Sequence, residues 1–313
     1  MWLKGNLHTH TARSDGDASP DDVVQWYGAH GYDFVALTDH DLTGGGEVLR
    51  RKPRRMVVIR GAELSGWAEG KPVHVCALGI RRSCPKRQAW TGDGKVKLLQ
   101  AMVDWVRQSG GVPLITHPNW HYALEASELS AIRGCRLVEI FNGGAHCNNF
   151  AAGGRPSMEQ KWDAVLADQS WLWGAAVDDS HHYRREWFGP DVSPPGRGWV
   201  VVEAERRSAG AILRALEAGR FYASNEVALR RCQRTRAEIH VEVEPHPQML
   251  YTIELVDATR GVLKREEGTR ARFDLRRVRG PVRVRVRSSN GGWAWCQPVM
   301  GQKGKPRVRR GRR

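Results

Sequence analysis

The chain has 313 residues, of which 41% are apolar and 27% charged, so it is long enough to bury a sizeable core, and neither a disordered chain nor a fibre fits. It has no apolar run of the ~18 residues that a membrane helix needs and no signal-peptide stretch at its start, so we expect no membrane insertion and no secretion and predict a cytoplasmic location. The net charge of +15 would suit a nucleic-acid partner, but residues 1–189 hold 22 Lys and Arg against 21 Asp and Glu, whereas residues 190–313 hold 27 against 13.

Cysteine and histidine are distributed differently along the chain. The six cysteines are scattered without CxxC spacing, which indicates reduced thiols rather than a zinc ribbon or a disulfide framework. Ten of the twelve histidines fall before residue 183, where the charge is nearly balanced. We therefore expect the chemistry in the N-terminal part and the basic excess outside it.

Short β-rich apolar runs alternate with helical patterns over the first two thirds of the chain, which is typical of parallel βα units and of the α/β class. The predicted strands are residues 34–37, 56–62, 73–79, 112–116, 136–141, 172–177 and 199–202. Four helices are predicted. The first begins after an N-cap at Ser19, and the second has an apolar stripe over residues 96–106 and stops at Gly110. The third follows a capping box at Ser157 and Gln160, and the fourth spans residues 208–218.

From about residue 226 the apolar residues alternate with period two, which predicts a small antiparallel β-sandwich-like domain over residues 226–300. In one predicted strand Arg283, Arg285 and Arg287 alternate with valines, and we expect them to face solvent or an edge partner. Residues 301–313 hold seven Lys and Arg and no acid, which predicts a disordered basic tail. The domain prediction is therefore 1–225, 226–300 and 301–313.

Ionisable residues follow the first predicted strands. His8 and His10 are spaced so that, on a strand, both would point to the same face and could bind one metal ion. The run over residues 34–37 ends in Thr38, Asp39, His40 and Asp41, and ligands collect at the carboxyl ends of parallel barrel strands. For Asp39 and Asp41 we favour helix capping or orientation of His40 over metal ligation.

Three more predicted strands end in the same way. The ionisable residues that follow them are Glu63, His117, Asp178, Asp179, His181 and His182, while His74 stands at the head of another strand. His74 is the weakest member of this set, since by itself it could be an ordinary half-buried histidine. So many coincident strand ends predict a shared site.

Nine of these positions carry a resemblance to the PHP (polymerase and histidinol phosphatase) superfamily. They are His8, His10, Asp15, His40, Glu63, His74, His117, Asp179 and His181. The resemblance implies a distorted (β/α)7 TIM-like barrel over roughly residues 3–225, with two or three divalent metal ions at its mouth. It also implies the ligand sets: His8, His10, Glu63 and Asp179 for the first metal, Asp15, His40 and His181 for the second, and Glu63, His74 and His117 for the third.

Within that superfamily the chain resembles the carbaryl-hydrolase-like branch, in which a small β domain follows the barrel. The segments on which this resemblance depends are residues 138–143, 217–224 and 292–298. The chain departs from the common pattern at Asp178-Asp179-Ser180-His181, where Asp178 could compete with Asp179 as the ligand. Asp15 stands where other branches use histidine, which would either weaken the binding of one metal or favour Mn or Fe over Zn.

Imidazole and carboxylate ligands without thiolate suit Zn, Mn or Fe, and closely spaced ions of this kind favour hydrolysis. We predict a phosphoesterase that uses a metal-bridging hydroxide on a phosphomonoester, a nucleotide or a short oligonucleotide, with Asp179 in the catalytic centre. One alternative is a carboxylester or carbamate hydrolase with the same metals. A second is a nucleic-acid-associated binding protein with a non-catalytic barrel.

Other residues are candidates for contact with the substrate. His121 is the candidate general acid, and a surface-loop histidine is an equal alternative. Asn142, His146 and His182 are expected to bind the substrate, and Trp67 and Trp120 to wall its pocket. The basic tail could contact polyanions non-specifically, although an arginine-rich composition explains its charge as well.

Overall fold

The computed structural model describes residues 1–51, 55–85, 90–168, 171–184 and 189–301 and shows a mixed α/β chain built on one large sheet. The strands are β1 (Trp2–Asn6), β2 (Phe34–Leu37), β3 (Val57–Ala68), β4 (Lys71–Leu78), β5 (Thr91–Gly92), β6 (Val112–Ile115), β7 (Leu137–Asn142), β8 (Trp173–Val177), β9 (Trp199–Glu203), β10 (Phe221–Ser224), β11 (Leu229–Arg234), β12 (Glu238–Val243), β13 (Tyr251–Asp257), β14 (Gly261–Glu267), β15 (Arg270–Asp274), β16 (Pro281–Ser288), β17 (Trp293–Cys296) and β18 (Val299–Met300). The helices are α1 (Pro20–Ala29), α2 (Lys95–Gln108), α3 (Ala126–Ala131), α4 (Met158–Ala167) and α5 (Ala209–Glu217).

The N-terminal strands are parallel in two groups that an antiparallel strand separates. β1, β2 and β3 are parallel, as are β6, β7 and β8, whereas β4 is antiparallel to both β3 and β6. The expectation of uniformly parallel βα units is therefore wrong at β4. The reason is a tight turn at Glu69 and Gly70, whose φ angles of 52° and 68° suit a two-residue hairpin.

The β8 edge of the sheet meets the segment that follows β1. The amide of Asp179 donates to the carbonyl of His8 at 3.0 Å, and the amide of His10 donates to the carbonyl of Ser180 at 3.0 Å. β1 itself ends at Asn6, so His8 and His10 lie beyond the strand rather than within it as predicted. Main-chain pairing with the segment after β8 nevertheless holds both residues in place.

The helix starts predicted from capping residues are confirmed. The Ser19 hydroxyl accepts from the amide of Asp22 ahead of α1, and Ser157 and Gln160 form a reciprocal capping box at α4. α2 buries one apolar face and ends before Gly110, as predicted. None of the helices among the described residues has the length and hydropathy needed to span a bilayer.

The C-terminal strands continue the large sheet and add a second one. β9 pairs with β1 and β10, β10 pairs with β17, and β16, β13 and β14 follow outward. β11, β12 and β15 form a separate three-stranded antiparallel sheet. Both sheets contribute to one apolar cluster, whose members include Ile239, Val241, Phe273, Leu255, Val284 and Val286.

The prediction for the arginines of β16 is wrong at Arg283. This side chain is 1% exposed and forms a bidentate pair with Asp163 of α4, with donor–acceptor distances of 2.9 and 2.8 Å. β16 lies between β13 and β17 in the sheet, and Arg283 reaches from one of its faces to Asp163 and Glu159 of α4 instead of facing solvent. The predicted basic tail lies, apart from Gly301, outside the described residues.

Candidate metal centre

The nine predicted ligand residues converge at one end of the N-terminal strands. They form four overlapping groups in which the candidate ligand atoms lie within 4.8 Å of one another. These groups are His8, His10 and Glu63; His8, His117 and Asp179; His10, Asp15, His40 and His181; and His40, Glu63 and His74.

The first predicted ligand set lies at the buried floor of the site. The Nε2 atoms of His8 and His10 are 3.1 Å apart, and each is 3.2 Å from Oδ1 of Asp179. Oε2 of Glu63 lies 3.2 Å from Nε2 of His8 and 3.4 Å from Nε2 of His10. Donor atoms from four side chains thus face a common point.

The second predicted set lies nearer the surface. Asp15 reaches His40 and His181 through its two carboxylate oxygens, at 3.4 and 3.5 Å. His10 joins this set, since its Nδ1 is 3.4 Å from Asp15 and its ring stacks on that of His181. The structure therefore places His10 between the first two sets.

Glu63 connects the floor to the third predicted set. Its Oε1 lies 3.1 Å from Nδ1 of His74 and 3.0 Å from Nε2 of His117. Glu63 and His74 lie inside the long hairpin strands β3 and β4 rather than at strand ends, which extends the predicted strand over residues 56–62. His40 approaches Glu63 as well, at 3.1 Å.

Glu139 of β7 is a site residue that the sequence reasoning missed. It is 1% exposed, and its Oε1 lies 2.7 Å from Nδ1 of His8, while its Oε2 accepts from the amide of His117 at 2.6 Å. A carboxylate beside the ring nitrogen that faces away from the cluster fixes the orientation of the imidazole. An acidic residue inside the apolar run Leu137–Asn142 was the signal that could have identified it.

Asn142 has a different position from the one expected for a substrate-binding residue. It is 2% exposed, and its amide nitrogen donates to Glu139 at 2.8 Å and to Asp179 at 3.1 Å. Its oxygen accepts from the amide of Gly144. The side chain therefore fixes the orientation of the Asp179 carboxylate through this hydrogen bond.

The two aspartates of the fourth motif have separate surroundings. Asp179 points into the cluster, whereas Asp178 accepts from the Tyr27 hydroxyl at 2.7 Å and from the amides of Arg197 and Gly198 at 2.6 and 2.8 Å. Of these two aspartates, only Asp179 lies near the imidazoles of the cluster.

The aspartates that flank His40 hold the loops around it. Asp39 accepts from the amide and hydroxyl of Thr11 at 2.8 and 2.9 Å. Asp41 accepts from the amide of Ser65, and the Ser65 hydroxyl lies 2.7 Å from Nδ1 of His40. Both positions agree with the preference for a supporting role over ligation.

A cavity of about 160 Å³ opens above the cluster. Trp120 lines it and contacts His74 and His117, with ring centroids 5.5 and 5.1 Å away, whereas Trp67 is 54% exposed and lies outside it. The lining residues in the described chain are Asp15, His40, Glu63, His74, His117, Trp120, Ala145, Cys147, Asp179, His181 and Ser193, and they include no Lys or Arg.

The remaining predicted substrate contacts lie around this cavity rather than on its wall. His121 is exposed, with its ring 4.8 Å from that of Trp120, and its carbonyl accepts from Lys71. His146 is exposed and pairs with Asp191 at 2.8 Å. His182 accepts from the amide of Ser193, which brings the loop before β9 toward the cavity.

The cluster is strongly polarised. Burial opposes ionisation of Glu63, but the positive charge of His8 outweighs it, with smaller contributions from the neighbouring imidazoles, and holds the pKa of Glu63 well below its usual range. Burial likewise opposes ionisation of Asp179, and His8 and His10 lower its pKa well below normal. Both carboxylates are thus negative at neutral pH.

The imidazoles divide into two kinds. Burial disfavours the charged form of His8, yet Asp179 and Glu63 raise its pKa well above normal. Burial dominates at His74 and lowers its pKa to about 4, so His74 is neutral at physiological pH. A neutral imidazole is the form that ligates a metal ion.

This donor set fits divalent metal ions. Imidazole nitrogens and carboxylate oxygens face one another at 3.0–3.4 Å with almost no exposure on the floor of the site, an arrangement that a shared cation stabilises. The described ligand candidates include no thiolate within these groups, which suits Zn, Mn or Fe.

No family model matches the chain. Three curated relatives match part of it. Among them are a 5'-3' exoribonuclease from Haemophilus influenzae, 34% identical over 28% of this chain and 33% of the relative, and a 3',5'-nucleoside bisphosphate phosphatase from Chromobacterium violaceum, 33% identical over 34% of this chain and 36% of the relative. The chain thus spans about a third of the length of the curated relatives it matches. These matches agree with the resemblance to the PHP superfamily, while the carbaryl-hydrolase-like branch is unconfirmed.

Among solved structures, a two-domain protein from Bacteroides vulgatus that contains a predicted PHP-like metal-dependent phosphoesterase is similar over 96% of this chain and 95% of that chain. The sequence identity is 16% and the TM-score 0.49.

Proposed function

We propose that the protein is a metal-dependent phosphoesterase that acts on a phosphomonoester, a nucleotide or a short oligonucleotide. The observation that carries the proposal is the convergence of nine histidine and carboxylate side chains under a small cavity whose described wall has no Lys or Arg. Because that wall offers no Lys or Arg, bound metal ions are the groups that would meet the negative charge of a phosphate ester. The phosphoesterase names of the partial relatives support the same class.

We propose His8, His10, Asp15, His40, Glu63, His74, His117, Asp179 and His181 as the residues that hold two or three divalent ions. When bound, such ions supply Lewis-acid charge and a nucleophilic water at neutral pH. Mn, Zn and Fe fit these ligands.

The chain's own residues position the other groups. Glu139 and Asn142 fix the orientation of His8 and Asp179, and the Thr116 hydroxyl donates to Glu63 at 3.1 Å. Trp120 forms an apolar wall on which a base or sugar can stack. His121 would donate a proton to the leaving oxygen after its side chain turns past Trp120 toward the cavity.

The finer architecture is also a proposal. Main-chain bonds between the segments after β1 and β8 support a distorted barrel over residues 1–225, and the shared core of the two C-terminal sheets supports a sandwich-like module over 226–300. A cytoplasmic location and polyanion contact through the basic tail stay predictions from the sequence.

A panel of substrates tests the proposed reaction. Purified protein supplied with Mn, Zn or Fe should hydrolyse p-nitrophenyl phosphate, bis(p-nitrophenyl) phosphate, a nucleoside 3',5'-bisphosphate or a 5'-phosphorylated oligoribonucleotide, and chelation should abolish the turnover. Hydrolysis of 1-naphthyl acetate alone would instead favour the ester hydrolase. Absence of turnover in metal-replete protein would favour the binding protein.

Matched histidine variants separate site chemistry from general damage. His10→Asn should remove bound metal and turnover together, whereas His240→Asn on the outer face of β12 should leave both unchanged.

His121→Asn should lower turnover at constant metal content, and unchanged turnover would remove His121 from the mechanism.

A further inference from the structure

Two cysteines that are distant in sequence meet in the C-terminal part of the molecule. Cys232 lies on β11 in the three-stranded sheet, and Cys296 ends β17 in the large sheet. Their sulfur atoms are 2.8 Å apart. Since a disulfide needs about 2.05 Å between its sulfurs, a small movement of the two side chains would allow the bond to form.

The two sulfurs differ in access. Cys296 has no exposed surface, whereas Cys232 is 7% exposed and lines a groove of about 590 Å³. Arg220 and Arg234 line the same groove beside Trp2. A small reagent that enters the groove therefore meets Cys232, whereas Cys296 is shielded from solvent.

The surroundings also distinguish which sulfur reacts first. A hydrogen bond with Cys296 and the positive charge of Arg234 lower the pKa of Cys232 against the opposing effect of burial. The pKa of Cys296 is raised well above normal by its contact with Cys232 and by burial. Because the thiolate is the nucleophile, Cys232 is the attacking group and Cys296 the resolving group.

We propose that Cys232 and Cys296 form a dithiol modification site that a small hydroperoxide oxidises to a disulfide joining the two sheets. The Cys232 thiolate attacks one peroxide oxygen, the O–O bond breaks, and a sulfenic acid and hydroxide form. The Cys296 sulfur then attacks the sulfenic sulfur and the S–O bond breaks. With hydrogen peroxide as the oxidant, the two thiol protons and the two oxygens and two hydrogens of the peroxide leave as two waters. Both sulfurs are oxidised and the peroxide is reduced.

The other cysteines provide an internal comparison. The Cys135 sulfur donates to the carbonyls of Pro113 and Leu137, and burial raises the pKa of Cys135 to about 11. Burial raises the pKa of Cys76 to about 12. Thiols of this kind are poor nucleophiles near neutral pH.

The test treats the full-length protein with hydrogen peroxide, traps the remaining thiols with iodoacetamide under denaturing conditions and maps the peptides by mass spectrometry. We expect two of the six thiols to be lost, with a mass lower by two hydrogen atoms and a cross-linked peptide pair that contains Cys232 and Cys296. The closed loop should raise Tm by roughly 5 °C. Dithiothreitol should reverse both changes.

Variants identify the reacting pair. Cys232→Ser and Cys296→Ser should each abolish the cross-link, while Cys135→Ser should leave it unchanged. The proposal is overturned if all six thiols stay titratable, if the cross-link joins other cysteines, or if Cys232 gains oxygen without a cross-link. Because the peptides are mapped on the unaltered protein, these outcomes can be told apart even where a variant does not fold.

Discussion

A buried carboxylate outside the predicted ligand set does much of the positioning at the candidate metal centre. Glu139 touches His8 with one oxygen and receives the amide of His117 and the side chain of Asn142 on the other. One residue thus fixes an imidazole and the backbone of a second ligand. Such partners of metal ligands alter affinity without touching the ion.

Replacing Glu139 by Gln should therefore lower metal affinity by about 10–100-fold, because His8 loses the anionic partner that fixes its ring. Titration of the metal-free variant with Mn or Zn, followed by calorimetry, measures the change. Glu266→Gln on the exposed strand β14 is the matched control and should bind metal like the unaltered protein. Equal affinities in both variants would contradict the assigned role.

The adjacent aspartates give a second comparison at single-residue resolution. Asp179→Asn should lose bound metal, because its Oδ1 lies 3.2 Å from the Nε2 atoms of both His8 and His10. Asp178→Asn should keep its metal and lose stability, because it weakens the acceptor of the Tyr27 hydroxyl and of two amides. Metal analysis and thermal unfolding of the two variants distinguish the residues, and the reverse pattern would exchange their roles.

How far the site could be predicted depended on where each residue stands in its strand. Residues that follow apolar runs, such as His117 and Asp179, were identifiable because strand ends meet at one edge. Glu139 was missed because it lies inside a buried strand rather than at its end; an acidic residue in an apolar run marks an unusual position, but the sequence does not show which side chains it contacts. His121 illustrates the converse, since proximity in sequence to His117 does not place its ring on the cavity wall.

At the scale of elements, helix starts were more predictable than strand direction. The capping box at α4 is a local pattern of hydroxyl, amide and backbone groups, so the sequence alone specifies it. The reversal of β4 depends on a left-handed backbone at Glu69, a residue type that rarely adopts it. The sequence therefore indicated a strand over this region but not its orientation.

Removing the α4 cap tests the contribution of that local pattern. Ser157→Ala should destabilise the protein by about 1 kcal/mol, because the amide of Gln160 loses its acceptor. Urea unfolding followed by circular dichroism gives the free energy. Ser83→Ala, at an exposed position outside the helices, should change it by no more than a few tenths of a kcal/mol; an equal loss in both variants would refute the capping contribution.

Across the whole molecule, the arginines of β16 connect the C-terminal strands to α4. Arg283 pairs with Asp163 and lies 2.7 Å from Glu159, and Arg285 contacts Glu159 at 3.0 Å. The sequence predicted an exposed or edge-facing row because the alternation with valine was visible but the helix that covers the second face was not. Part of the arginine excess is thus paired with acidic residues inside the fold.

Arg283→Leu should destabilise the protein by about 3 kcal/mol, because it leaves the half-buried Asp163 carboxylate without its arginine and leaves Glu159 with Arg285 alone. Arg287→Leu, on the same strand with an exposed side chain, should cost far less. Chemical denaturation of both variants provides the comparison. A small loss at Arg283 would mean that this buried ion pair contributes little to the attachment of β16 to α4.

The hydrogen-bonded path from β1 through β9 and β10 to β17 has a consequence for any attempt to divide the chain. Cutting after residue 225 would strip β10 of its outer neighbour and leave its amides and carbonyls as an open edge beside the apolar residues Phe221 and Tyr222. Exposed edges of this kind recruit strands from other molecules. The metal-binding half produced alone is therefore expected to self-associate through β10, even though every candidate ligand precedes the cut.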